Sequence, residues 1–201
     1  MRWSLAPFTM LVALALPMSA RGQSTPTSSS LEIRTAHETP GELQTVTRLR
    51  ELVDRYDVSR WIYTRQIVID ETQIPHSHPV LTIRAEPDDG NLLATFLHEQ
   101  FHWLEEARPD QRRAAIDEFR RIFPDVPVRG GEGGRDAGST YLHLIVCDLE
   151  LQAVSFLLGA EKARQLLGST RHYRWIYRQV LENPIVREVN ARHGFLIDSG
   201  G

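Results

Sequence analysis

Two histidines four residues apart, His98 and His102, lie inside a stretch whose apolar residues Leu92, Leu93, Phe96, Leu97, Phe101 and Leu104 recur at helical spacing. On a helix, residues four apart share one face. His98 and His102 can therefore present two imidazole nitrogens to one metal ion, while Glu99 projects beside it as a candidate general base. The breadth of the apolar surface requires this helix to be buried, so the fold has to be built around it. The pattern predicts a helix over residues 91–107, introduced by Pro87-Asp88-Asp89-Gly90, whose acidic residues suit a helix N-terminus.

The remaining elements follow from the same kind of reading. Residues 31–36 read as a first strand, and Thr39-Pro40-Gly41-Glu42 as a capping box with proline at the first helical position. Leu43, Val46, Leu49, Leu52, Val53 and Tyr56 then form an apolar stripe on a helix ending near Asp57. Residues 61–70 (WIYTRQIVID) and 80–86 read as strands, with His76 and His78 as surface residues in a proline-flanked loop between them. Pro109 starts an amphipathic helix that stops at Pro124, with Arg112, Arg113, Arg120 and Arg121 on its solvated face. A glycine-rich stretch, residues 129–138, lacks the GK[ST] ending of a phosphate loop and reads as a linker, or else a mobile cover over the cleft, before a long apolar helix over 141–158 capped by Ser139 or Thr140. Shorter helices over 161–167, 171–182 and 184–192 complete an α+β, helix-rich single domain with a small N-terminal sheet.

Arg2, an apolar run over residues 5–16 and small residues near Ser19 and Ala20 have the layout of a secretory leader over residues 1–22. Residues 23–30 (QSTPTSSS) read as a flexible linker, which leaves residues 31–201 for the domain. The expected location is secreted or periplasmic, without stable membrane insertion of the mature chain. The formal charge is −3, and removal of Arg2 and Arg21 makes it −3 − 2 = −5. A mildly acidic chain without a basic stripe gives no support to nucleic-acid binding. Cys147 is the one cysteine, so no internal disulfide is available, and its apolar surroundings suit a buried, inert thiol.

A catalytic zinc site uses three protein ligands and an open position, so a third ligand is expected on a later helix. His143 and Glu150 stand seven residues apart on the 141–158 helix, facing one way but separated by roughly 10 Å along it, too far for both to bind one ion. Either one ligates and the other serves nearby. The sequence here resembles the gluzincin branch of the zincin metallopeptidases, in which a downstream Glu-x-x-Ala supplies the third ligand, matched by Glu150-Leu151-Gln152-Ala153. The acidic residue that the family carries four places after that ligand is Val154 in this chain.

This resemblance implies a zincin-like domain holding zinc with His98, His102 and Glu150, and hydrolysing peptide bonds with a metal-activated water and Glu99 as general base. His143 is then a candidate catalytic donor to the developing oxyanion, alongside Tyr141, Tyr173 and Tyr177, although Tyr173 and Tyr177, four apart in an aromatic helical stretch with Trp175, read first as packing residues. The alternative assignment makes His143 the ligand and Glu150 the carboxylate that orients it. In zincins an extended peptide or protein substrate pairs with a sheet edge beside the active helix, which residues 80–86 are expected to provide. Two other classes stay open on the sequence: a non-catalytic zinc-containing binding or structural domain of the cell envelope, and a helical binding module without metal.

Overall fold

Ile33, Ile67, Ile69, Leu81 and Ile83 build the small sheet at the centre of the N-terminal half. The computed structural model describes Met1 and residues 31–197; apart from Met1, the expected leader (1–22) and linker (23–30) lie outside these residues. Strands β1 (Glu32–Thr35), β2 (Gln66–Ile69) and β3 (Leu81–Ile83) pair in the order β1-β2-β3, all parallel, with Ile33 opposite Ile67 and Ile67 opposite Leu81. Parallel strands need a crossover. Helix α1 (Pro40–Arg55) supplies the first, and its Thr39 cap accepts from the Glu42 N–H at 3.2 Å. The Glu42 carboxylate, fully buried, reaches back to accept from the N–H groups of His37 and Glu71 at 2.8 and 3.2 Å.

Six helices follow the sheet among the described residues: α2 (Asp89–Glu106), α3 (Pro109–Ile122), α4 (Ala137–Leu158), α5 (Ala160–Gly168), α6 (Arg174–Glu182) and α7 (Pro184–Arg192). The molecule is a helix-rich α+β domain with a small parallel sheet, as its periodicities imply. Helix α4 is apolar enough to pass for a membrane span by length and composition, but 67% of its most apolar window is buried inside the fold. The burial comes from α2, α3, α5, α6 and α7, all of which pack on it. A helix that is apolar all round is a core helix when other elements surround it.

Two strand expectations shrink, for a shared reason. Residues 61–65 are not strand: Trp61 closes a 3-10 turn, Ser59–Trp61, and packs edge-on against Phe156 at 5.7 Å. The Tyr63 and Thr64 N–H groups both donate to the Gln100 side-chain oxygen, at 2.8 and 2.9 Å, and the Gln100 amide donates to Thr64 O at 2.9 Å. A fully buried side chain from α2 thus satisfies backbone groups that a strand partner otherwise would.

The expected edge at residues 80–86 is reduced to the three residues of β3, and it is occupied. The loop after β2 folds back so that the His76 N–H donates to Thr82 O at 3.0 Å and the Thr82 N–H donates to His76 O at 2.8 Å. Leu81 and Ile83 face β2 through their main chain, so Thr82 carries the outward-facing groups of β3. Both are taken by the chain's own His76, and the edge expected to receive a substrate strand is not free.

Candidate metal centre

Helices α2 and α4 lie against each other and bring three imidazoles together. His98 and His102 come from one face of α2, and His143 comes from α4, two turns beyond the Asp136 cap that accepts from the Ser139 N–H at 2.7 Å. Ring centroids are 5.1 Å apart for His98 and His102, 5.5 Å for His98 and His143, and 5.0 Å for His102 and His143. One ring nitrogen of each lies within 4.8 Å of one from each of the others.

Each of the three rings turns its Nδ1 toward an acceptor. His98 Nδ1 lies 2.9 Å from Glu150 Oε2, and His143 Nδ1 lies 2.6 Å from the carbonyl of Ser139, one turn earlier on its own helix. His102 Nδ1 lies 3.6 Å from Glu105 Oε1, a nearly buried carboxylate held from its other oxygen by Arg112 at 2.8 Å. A histidine whose Nδ1–H is directed to a carbonyl or carboxylate offers its Nε2 lone pair to a metal, and such partners are what orient metal-binding histidines. Burial, above all other causes, holds the His98 and His143 rings well below the usual imidazole range, so both are neutral at pH 7 and able to ligate.

Glu150 lies apart from the three-imidazole cluster, in the group it forms with His98 and Cys147. It sits behind His98, where its Oε2 lies 2.9 Å from His98 Nδ1 and accepts from the Tyr177 hydroxyl at 2.7 Å. Burial pushes its carboxyl up to about 8, against the lowering effect of the Tyr177 hydrogen bond. His98, Cys147 and Glu150 form a second close group, wholly buried, in which desolvation raises the Cys147 thiol well above its ordinary range. That interior group has its carboxylate engaged by two donors and its thiol protonated, whereas His102, on the other side of His98, is only half-buried. The cluster that opens outward is the one made with His143.

Glu99 stands next to the imidazoles with 6% of its surface exposed, and no described residue hydrogen-bonds to its carboxylate. Among the described residues the sealed side-chain atom without a partner is Asn190 Oδ1, so the Glu99 oxygens lie in space that solvent reaches. Desolvation, and then the charge of Glu150, raise the Glu99 carboxyl to about 8.

The tyrosines divide cleanly. The Tyr141 hydroxyl donates to Phe123 O at 2.7 Å and that of Tyr177 is spent on Glu150. Tyr173 alone of the three keeps an unpartnered hydroxyl, while its ring lies 4.2 Å from that of His143 and 6.2 Å from that of His98, nearly parallel to the latter. Its backbone is left-handed (φ 57°, ψ 31°), a rare conformation for an aromatic residue and one that tends to persist where neighbours impose it. The neighbours are the glycine-rich segment: Gly131 O and Glu132 O accept from the N–H groups of Arg174 and Trp175 at 2.9 and 3.1 Å. Burial above all holds the Tyr173 hydroxyl protonated, up to about 12. The stretch that reads as a linker in the sequence is a brace for this residue.

Glu105 and Ser139 are neighbours of the histidine cluster that the sequence reading passes over. Glu105 is three residues beyond His102 on the same helix face, so spacing carries a signal for it. The Ser139 contribution is a backbone carbonyl, and no residue type announces it. Comparison with family models, with curated proteins and with solved structures finds no match to this chain.

Proposed function

We propose that this protein is a zinc-dependent hydrolase of peptide bonds, with zinc held by His98, His102 and His143. The observation that carries the reading is the convergence of three oriented imidazoles beside a Glu99 carboxylate that no other side chain engages. Three nitrogen ligands with an open side is the donor set of a catalytic zinc rather than a structural one, which is closed by a fourth protein ligand. In this assignment Glu150 and Glu105 position His98 and His102, and the Ser139 carbonyl positions His143.

When bound, zinc supplies a Lewis acid that acidifies water and polarises a carbonyl oxygen. Glu99 accepts the proton of the attacking water at its carboxylate and returns it to the departing amine nitrogen, so that the peptide C–N bond breaks as a C–O bond forms. Tyr173 donates its hydroxyl hydrogen to the carbonyl oxygen as charge gathers there, from a position fixed before substrate arrives. The site is reached from outside the cell in this reading, in keeping with the leader-like residues 1–22.

The test is zinc content of the mature chain by elemental analysis, joined to cleavage of a mixed pool of quenched fluorescent peptides. One zinc per chain, lost in His143→Ala, with cleavage abolished in Glu99→Gln, supports the proposal. A chain that holds zinc but leaves all peptides intact would instead be a zinc-containing binding domain, and a chain without metal would be neither.

A further inference from the structure

Resting on the peptidase reading of this site, we propose that its substrates are short peptides or chain ends, engaged for about two residues on either side of the scissile bond. Main-chain strand addition is how an extended polypeptide gains sequence-independent affinity, and it needs a sheet edge with outward N–H and C=O groups at every second residue. Within β3, the strand beside α2, the edge offers none. The outward N–H and C=O of Thr82, the middle residue of β3, are bonded to His76 at 2.8 and 3.0 Å.

The segment that covers β3 does not form a fresh edge in its place. His76 turns both main-chain groups inward, so by the alternation of extended chain Pro75 and Ser77 carry the outward ones. Pro75 has no N–H to donate. The carbonyl of Ser77 accepts from Trp103 Nε1 at 3.1 Å. What is left, one acceptor and one donor on different residues, cannot support the paired bonds of a ladder.

Nor is the segment loosely laid down. Trp103 directly follows the ligand His102 on α2, and the His78 ring stacks on its indole with centroids 4.2 Å apart, while His78 Nε2 pairs with the Glu106 carboxylate. Three contacts thus fix the segment to the helix that carries the metal ligands. Displacing it to admit a strand costs the two Thr82 bonds, the Trp103 bond and the stacked ring together. A substrate held mainly at the metal, Glu99 and Tyr173 needs none of that edge.

The experiment uses pools of random-sequence peptides with free ends, each of fixed length from about two to about ten residues. Binding to the zinc-loaded Glu99→Gln protein is measured by calorimetry, and kcat/KM on the zinc-loaded wild type. Both are expected to level off by about four residues, changing less than about threefold thereafter. A gain of about tenfold or more between four and ten residues overturns the inference. So does loss of amide-exchange protection at Thr82 and His76 when a decapeptide binds, because that reports displacement of the covering segment. Cleavage of no pool at any length, by protein that holds its zinc, brings down the peptidase reading and this inference with it, an outcome distinct from cleavage that grows with length.

Discussion

Glu150 Oε2 lies 2.9 Å from His98 Nδ1, behind the imidazole rather than beside its Nε2. The two candidate third ligands on α4 therefore carry different consequences when removed. His143→Ala takes away a proposed ligand and is expected to leave no zinc after mild dialysis. Glu150→Gln keeps a hydrogen-bonding group behind His98 but weakens its basicity, for an expected loss of about 10–100-fold in zinc affinity. Competition against a chelator measures both. The reverse ranking would return Glu150 to the ligand set.

Tyr173→Phe preserves the ring packed against His143 and removes only the hydroxyl. Loss of a preorganised donor to an oxyanion costs about 10²–10³ in kcat where it has been measured, and a fall of that order is expected with zinc content unchanged. Tyr177→Phe is the contrasting variant. Its hydroxyl serves Glu150, so zinc affinity is expected to fall while the kcat of the fully loaded protein changes little. Steady-state kinetics at saturating zinc separate the two.

Gly133 tests the bracing role of the glycine-rich segment. A Cβ built there meets Pro127 O at 1.8 Å and Thr140 Oγ1 at 2.8 Å, and backbone cannot retreat as a flexible side chain can. The Thr140 hydroxyl is part of a buried bridge, accepting from the Gly134 N–H and donating to Pro127 O, each at 2.9 Å. Gly133→Ala is expected to destabilise the protein by about 1–3 kcal/mol, by forcing this bridge apart. Chemical denaturation reads the change. Wild-type stability in that variant would remove the segment from the account of Tyr173.

Glu118 ties α3 to α7 and sets an acid limit on stability. The hydrogen bonds from Arg192, then from His193 at 2.8 Å, hold its carboxyl below the usual range. A carboxyl lowered in the folded state contributes stability that is present above the unfolded value near 4.5 and is lost as pH falls through the folded one. Melting temperature is accordingly expected to drop more steeply below about pH 4.5 in the wild type than in Glu118→Gln. Parallel melting curves for the two proteins would discard the linkage.

Local signals were strong where one helix or one cap sufficed. The spacing of His98 and His102, the apolar rows of α2 and α4 and the Thr39-Pro40 start of α1 depend on neighbours within a turn or two, and sequence states those neighbours directly. The same spacing offered His143 and Glu150 as equals, since residues seven apart share a helix face. What separates them is the packing of α2 and α6 on α4: α2 sets His98 between the two, and α6 brings the Tyr177 hydroxyl to Glu150.

Sequence alone determined a helix-rich domain with a small sheet and a pair of histidines with a glutamate between them on one buried helix. Only tertiary structure decided that His143 completes the outward cluster, that Tyr173 is pinned over it, and that His76 closes the sheet edge. Those outcomes depend on contacts between residues tens of positions apart, Glu132 with Arg174 and Ser77 with Trp103 among them. A glycine-rich stretch and a proline-flanked loop carry no periodicity from which such partners can be read, because their conformations are fixed by the surfaces they land on.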